Sequence, residues 1–245
     1  MDRITLVTGS SRGIGAATVK TCAKDGQAVA INYKNNVEAA NKIRRAIESG
    51  GGRAITVQAD TSKEADIMRM FDEVDKQLGP LTGLVNNAGI HGPRGRLDEL
   101  ESSEIELVMD VNIKGCFLCA REAIKRMSTK YGGKGGAIVN VSSGSANLGE
   151  PHGGVLYSAS KGALNSLTIG LSQEVAGEGV RVNSVAPGLT ETDMPPMGKL
   201  IELAPKIPMG RVAQPEEIAE AIVWLLSDKA SYTAGANIRV GGGRI

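Results

Sequence analysis

Cysteine is scarce. Three in 245 residues is an odd number, which argues against a disulfide framework and for a reducing compartment. Net charge is scarce as well: 28 Lys and Arg offset 27 Asp and Glu to leave +1. The basic field of a nucleic-acid binder is therefore missing, and no nucleic-acid partner is expected. Long apolar runs are absent. Nothing approaches the ~20 residues of a membrane span, and the opening apolar stretch Ile4–Val7 is too brief for the core of a signal peptide. A soluble cytoplasmic protein without a membrane partner is expected. The two histidines, His91 and His152, stand apart, and no clustered carboxylates point to a catalytic metal.

What is present is a globular composition, 41% hydrophobic and 22% charged. Glycine, at 32 of 245, is roughly twice as frequent as the ~7% of an average chain, and it follows no collagen-like period. Such an excess marks tight turns or backbone brought close to a ligand. Short Val/Ile/Leu-rich runs recur at Ile4–Val7, Ala28–Asn32, Ala54–Gln58, Leu84–Asn86, Ala137–Val141, Arg181–Val185 and Asn237–Val240. Each has the length of a buried strand. Amphipathic stretches separate them, at Ile14–Lys24, Val37–Ser49, Ser62–Leu78, Glu101–Met127, Val155–Ala176 and Pro215–Leu226. Strand-helix alternation with strands apolar at nearly every position predicts a doubly wound α/β fold: a parallel sheet of about seven strands with helices on both faces. No linker, charge block or repeat divides the chain, so residues 1–245 are expected to form one domain. The irregular stretch Pro187–Arg211, with Pro195, Pro196, Pro205 and Pro208, has the character of a lid or of a variable surface connection.

Thr8-Gly9-Ser10-Ser11-Arg12-Gly13-Ile14-Gly15 follows the first strand and opens the first helix. A helix N-terminus exposes unpaired N–H groups and partial positive charge, so a pyrophosphate can sit there if glycines let the backbone approach. Gly9 permits the turn, Gly13 the approach and Gly15 the packing of helix on strand. A glycine pattern alone is weak, but other segments agree. Asn86-Asn87-Ala88-Gly89 ends the fourth strand, and Asn112 lies in the helical stretch after it. Ser142-Ser143 ends the fifth strand, Tyr157-Ser158-Ala159-Ser160-Lys161 opens a helix, and Pro187-Gly188-Leu189-Thr190-Glu191-Thr192 follows the sixth strand.

With these motifs the chain resembles the short-chain dehydrogenase/reductase family along essentially its whole length. The resemblance implies a Rossmann-type fold, a nicotinamide cofactor and interconversion of a carbonyl with a secondary alcohol. It makes Gly9, Arg12, Gly13, Ile14 and Gly15 cofactor contacts. Asp60 becomes the adenine contact, Asn86 and Gly89 flank the adenosine ribose, and Thr192 is the nicotinamide-side hydroxyl. Asn112, Ser143, Tyr157 and Lys161 resemble the catalytic tetrad, with Tyr157 and Lys161 also touching the cofactor. Ser143 lies fourteen residues before Tyr157 where many members use thirteen, leaving Ser142 and Ser145 as fallbacks. Gly241 stands where an Asp is common. The resemblance also implies a homotetramer.

Tyr157 and Lys161 are four apart on a helix and so share a face. An ammonium about 5 Å from a phenol supplies most of the shift that brings a tyrosine from ~10 towards neutrality, so Tyr157 is the expected general acid/base and Ser143 the hydrogen-bond donor to the reacting oxygen. The resemblance further implies that Asn112 holds a water that relays protons to Lys161.

An NAD site usually places an acid at the end of the second strand. Here that strand runs Ile31-Asn32-Tyr33-Lys34, with no acid before Glu38, and Lys34 with Arg12 offers two cations to a 2′-phosphate, so NADP(H) is expected rather than NAD(H). The substrate is expected to be a small carbonyl or alcohol. Glucose dehydrogenases and 3-oxoacyl-carrier-protein reductases form the branch that the chain looks like, and a catalytically idle NADP(H)-binding sensor or scaffold is the rival. A carrier-protein partner would want a basic patch, for which Arg121, Lys125, Arg126 and Lys130 are candidates. Cys116-Phe117-Leu118-Cys119, in an apolar helix without further ligands, reads as buried or interface packing.

Overall fold

A computed structural model describes residues 3–195 and 197–244. Pro196 of the irregular stretch lies outside the described residues. Seven strands form one parallel sheet: β1 (Ile4–Val7), β2 (Ala28–Tyr33), β3 (Ala54–Gln58), β4 (Gly83–Asn86), β5 (Gly136–Val141), β6 (Val180–Pro187) and β7 (Asn237–Val240). Their order is β3-β2-β1-β4-β5-β6-β7. The chain therefore builds outward from β1 in one direction, returns, and builds from β4 in the other. Between β1 and β4 the crossovers diverge, and a crevice opens beyond their C-terminal ends.

The helices are α1 (Gly13–Lys24), α2 (Val37–Ser49), α3 (Glu64–Gln77), α4 (Ser102–Met109), α5 (Gly115–Met127), α6 (Ser145–Leu148), α7 (Val155–Val175), α8 (Met197–Leu203) and α9 (Pro215–Leu226). Alternation along each strand divides the core into two layers. Leu6, Ala30, Leu84 and Ile138 face α3 and α5, where Ile67, Met70, Phe71 and Met127 are fully buried. Val7, Val29, Ile31 and Val139 face α1, α2 and α9, meeting Val19, Ile43, Ile218 and Ile222. Local chemistry sets the helix starts. The Asn36 side chain accepts from the Ala39 N–H at 2.9 Å to cap α2. Pro215 occupies the first turn of α9, and Glu217 accepts from the Gln214 N–H at 2.8 Å.

One sequence expectation is modified. The single helical stretch predicted over Glu101–Met127 is α4 and α5 joined by a π-helical turn, Asp110–Lys114, closed by the Gly115 N–H on the Asp110 carbonyl. The wider turn brings Gly115 against the Thr61 carbonyl, where a Cβ would collide, and it carries Asn112 inward to full burial. The candidate basic patch is also corrected. Arg121 pairs with Glu64 and Glu122, Lys125 with Glu122, and Arg126 with Asp72, Asp75 and Glu122, because the acidic face of α3 packs beside α5. Lys130 lies over the Tyr131 ring, 5.6 Å from its centroid. Arg121, Lys125 and Arg126 are thus paired within the subunit, whereas Lys130 has no carboxylate partner among the described residues. No helix among the described residues is long and apolar enough to cross a membrane.

Candidate active site

The glycine loop and the end of β4 are fastened together at the crevice. Thr8 Oγ1 accepts from the Asn87 and Ala88 N–H groups at 3.0 and 2.9 Å, and Asn87 Nδ2 donates to the carbonyls of Thr8 and Gly9 at 2.8 and 3.1 Å. Asn32, at the end of β2, accepts from the Gly9 N–H at 2.9 Å and donates to Val57 and Ala59 across β3. Gly9 has φ +61°, and a Cβ there would lie 2.9 Å from the Ala88 Cα. At Gly15 a Cβ would lie 2.6 Å from Asn87 Nδ2 and 2.8 Å from the Gly9 carbonyl. Neither position tolerates a side chain without a shift. The first turn of α1 has no side-chain cap and no acidic residue, so its N–H groups remain available.

This loop borders a cavity of about 1100 Å³ that runs along the C-terminal ends of the strands. Gly9, Arg12, Gly13, Ile14 and Gly15 line one end, and Lys34, Asp60, Gly89 and Thr192 also reach the wall. Asn86 does not. Its amide donates to Asn140 Oδ1 at 2.9 Å and to the Cys116 carbonyl at 3.3 Å, inside the core, because side chains on a strand alternate and Asn86 faces the helices. Asn87 stands at the cavity in its place. The two expected cations already have partners: Lys34 Nζ is 2.8 Å from Asp60 Oδ2, and Arg12 Nη1 is 3.7 Å from Asp193 Oδ2. An acid is thus present beside Lys34, delivered from the end of β3 rather than from β2. Asp60 Oδ1 also accepts from the backbone N–H and hydroxyl of Ser62. Although burial works against the charge, Lys34 and Ser62 hold the Asp60 carboxyl below its usual range.

At the other end Ser143, Tyr157 and Lys161 meet on the cavity wall. The Tyr157 ring is buried beside Ser143, whose Oγ accepts from the Ser145 N–H at 3.1 Å. The fallback serines are occupied elsewhere. Ser142 Oγ bonds the Lys161 carbonyl and Asn165, and Ser145 Oγ bonds Glu150. Lys161 Nζ donates to the Val141 carbonyl at 2.8 Å and lies 5.8 Å from the centre of the Tyr157 ring. Gly89 keeps a space open beside it: a Cβ there would sit 3.2 Å from Lys161 Nζ and 3.4 Å from Asn112 Oδ1. Asn112 is held by the Ile90 N–H at 2.9 Å and donates to the Ile90 carbonyl and to Ser160 Oγ.

The electrostatics differ from the sequence expectation. Burial pushes Tyr157 above its ordinary value, partly countered by its hydrogen bond to Ser143 and reinforced by the charge of Glu150. Burial pushes Lys161 below its own. In the protein alone desolvation outweighs the ammonium, because Lys161 points to a carbonyl at some distance from the phenol oxygen. Sequence reading also passed over His91, which stacks on the Tyr157 ring at 5.0 Å and 16° with Nε2 3.7 Å from Glu150 Oε1. No spacing signals such a pair, since β4 and the loop before α7 bring it together. His152 borders a hollow of about 390 Å³ that adjoins the main cavity at Arg94, Glu150 and Pro151. All three cysteines are free and buried. Burial raises the thiol of Cys116 to about 11 and that of Cys119 well above its ordinary value, which suits packing rather than redox or metal chemistry.

Comparison with known proteins agrees with this architecture. A family described as Enoyl-(Acyl carrier protein) reductase matches residues 9–244. The chain is 49% identical to the "Uncharacterized oxidoreductase YgfF" of Escherichia coli (strain K12), over 98% of this chain and 99% of that one. It is 38% identical to a cis-4-hydroxycyclohexanecarboxylate dehydrogenase of Sinomonas cyclohexanicum, covering 99% and 96%. A short chain dehydrogenase from Burkholderia cenocepacia J2315, solved in complex with NADP, superposes with TM-score 0.91 at 34% identity, covering 99% and 97%. The chain belongs to the short-chain dehydrogenase/reductase family, a family of oxidoreductases.

Proposed function

We propose that the protein interconverts a carbonyl and a secondary alcohol with NADP(H), Tyr157 serving as general acid/base. The observation that carries this reading is the meeting of Ser143, Tyr157 and Lys161 on the same cavity wall that the glycine loop opens. The residues fit a dinucleotide. The uncapped first turn of α1, the close-packed glycines and Asn87 form a backbone cradle suited to a pyrophosphate, and Gly89, Asp60 and Thr192 line the way to and from it. Bound there, a nicotinamide supplies or accepts the hydride. The protein's own part is to hold the substrate oxygen between the Ser143 and Tyr157 hydroxyls and to move one proton. In reduction Tyr157 donates its proton to the oxygen, a role suited to a phenol that burial keeps protonated. In oxidation its phenolate accepts that proton, and the Lys161 ammonium favours the phenolate form that must be present beforehand. Asn112 and Gly89 keep room beside Lys161 for a water through which the proton passes.

The preference for NADP(H) rests on Lys34 and Arg12 at the cavity wall, both more than half exposed and free to turn from Asp60 and Asp193 to a 2′-phosphate. The Burkholderia relative bound to NADP supports it. The Lys34–Asp60 pair favours a second reading, in which Asp60 accepts a ribose hydroxyl and NAD(H) serves instead. Consumption of NADPH and NADH against ketones, sugars and acyl thioesters separates the readings: turnover with NADPH exceeding that with NADH is expected, and absence of any turnover would leave the cofactor-binding sensor. The Sinomonas relative, a dehydrogenase of a ring alcohol, places cyclic ketones in that panel.

We further propose a homotetramer in the cytoplasm. Val108, Val111, Cys116 and Leu164 are consumed by the subunit's own core, whereas Leu107, Met109 and Phe117 on α4–α5 and Ile169 on α7 remain exposed. Such a face suits a second subunit. Light scattering that gives only a 25.5 kDa species would overturn it.

A further inference from the structure

We propose that Arg239 is an anion-binding residue beside the reacting centre, and that the substrate is an oxo acid, or the matching hydroxy acid, whose carboxylate it receives. The inference rests on the carbonyl/alcohol reading above and names the substrate class within it.

Ile238 and Val240 of β7 turn into the core layer shared with α9. Alternation therefore sends Arg239 to the opposite face, across the end of β6. There the guanidinium fills the space of a missing side chain, because a Cβ on Gly144 would fall directly on it. Gly144 is the residue after Ser143, about 3.8 Å along the backbone. On the other flank is Gly241, where a Cβ would lie 2.9 Å from Arg239 Nε. Two glycines thus leave the guanidinium in place and without a side-chain neighbour at either side.

Among the described residues its bonds go to backbone only. Nε and Nη2 donate to the Arg244 carbonyl at 3.1 and 3.0 Å, and Nη1 to the carbonyls of Pro187 and Ala186 at 3.2 and 3.4 Å. Three carbonyls orient the fork, but its donors outnumber them. Among the described residues Arg239 has no carboxylate within salt-bridge distance. The charge acting on it is that of Arg244, another cation, which together with burial works against protonation. A half-buried guanidinium in that setting favours an anion. Arg239 and Arg244 both line the cavity that holds Ser143 and Tyr157. The acid at this end, Glu150, faces His91 and Ser145.

The position selects against the cofactor's own phosphates, since the contacts of Arg239 are to Gly144, Pro187 and the C-terminal turn, and none is to the glycine loop. With the carbonyl oxygen between Ser143 and Tyr157, the carboxyl carbon of a substrate held on Arg239 lies roughly one to three bonds from the reacting carbon, given one residue of backbone between the two anchors. That describes 2-, 3- and 4-oxo acids. The carboxylate takes no part in the exchange of hydride and proton; it orients the molecule and leaves unchanged.

The test compares 2-, 3- and 4-oxo acids with their methyl esters, in the wild type and in Arg239→Met, Arg239→Lys and Gly241→Asp. The wild type should favour at least one acid over its ester. Arg239→Met should lower that acid-to-ester ratio of kcat/KM by roughly tenfold to a hundredfold, through KM, as expected for losing a hydrogen-bonded charge. Arg239→Lys should retain part of it. Gly241→Asp, whose backbone is not in the left-handed region, should collapse it by supplying an internal carboxylate. Calorimetry with benzoate as an unreactive carboxylate gives a second readout, and Arg239→Met should weaken its binding by a similar factor. Esters reduced as well as acids, with ratios unmoved by these variants, would overturn the proposal and leave the oxidoreductase reading standing. No turnover of any pair, with benzoate bound through Arg239, would do the reverse.

Discussion

The two ends of the cavity are built from different materials. At the glycine-loop end the wall is backbone: N–H groups of α1, carbonyls of Thr8 and Gly9 held by Asn87, and three glycines whose missing side chains allow the approach. At the other end the wall is side chains: Ser143, Tyr157, His91, Glu150 and Arg239, drawn from the turn after β5, α7, the loop after β4, the turn before α7, and β7. Backbone conformation reflects the contrast. The glycine loop uses glycines where φ is positive, at Gly9 and Gly13, whereas the loop before α7 places Glu150 and His152 at φ +37° and +60°. Non-glycine residues there are strained, typically by about 1 kcal/mol or more. The first end is specified by backbone shape, to which Arg12, Lys34 and Asp60 add charge at its rim, and the second by side-chain chemistry.

Replacing Tyr157 by Phe should produce the largest effect and tie the second end to the reaction. Turnover is expected to fall about 10²–10⁴-fold with dinucleotide affinity unchanged by fluorescence titration; retention of a tenth of the rate in a chemistry-limited step would dissociate that end from proton transfer.

Gly15→Ala probes the first end. The added carbon meets Asn87 Nδ2 and two backbone groups within 2.8 Å, so stability should drop by roughly 1–3 kcal/mol, as for overpacking, and dinucleotide binding should weaken with it. A Tm and an affinity equal to the wild type would show that the backbone cradle yields more easily than its geometry implies.

Lys34→Ala lies where shape gives way to charge. NADPH affinity should fall about tenfold, in the range of one charge-assisted contact, with NADH little affected and the loss smaller at high salt. Equal losses for both coenzymes would assign Lys34 to holding Asp60 in place.

Glu150→Gln sharpens the comparison through pH. The Glu150 charge raises the Tyr157 pKa by disfavouring the phenolate, so its removal should move the rising limb of the alcohol-oxidation profile to lower pH. A limb that stays put or moves upward would mean that the contact of Glu150 with His91 screens it from the phenol.

His152→Gly should have the smallest effect. Relief of a left-handed residue is offset by the greater freedom of the unfolded chain, so a Tm unchanged or slightly raised is expected by calorimetry. A marked loss would show that the side chain, rather than the backbone, holds that loop.

The sheet, its parallel direction and most helix ends were legible because apolar runs of strand length alternate with amphipathic ones, and because Asn36 and Pro215 start helices by local chemistry. α2 and α9 fall on their predicted bounds. The glycine loop was legible for a related reason, its turn and helix start being adjacent in the chain, whereas Ser143, Tyr157 and Lys161 were legible through the family resemblance together with the four-residue spacing of the last two. The π-helical turn at Asp110–Lys114 was not, since it forms where α5 presses Gly115 against Thr61, a residue distant in the chain.

Long-range placement decided the rest. Asn86 and Asn87 are adjacent letters, yet the pleat of β4 sends the first to Asn140 and the second to the glycine loop. The acid missing from the end of β2 arrives from β3 as Asp60, because the two strands are neighbours in the sheet. The cations of α5 are cancelled by α3, which packs against it. His91 reaches Tyr157, and Arg239 reaches Gly144, across more than sixty residues of chain. The sequence by itself determined the fold and the place of the glycine loop at a helix start, since periodicity and glycine spacing act locally. The charges and rings around the reacting centre were decided only when strands distant in sequence became neighbours, because electrostatic and packing contacts depend on distance in space.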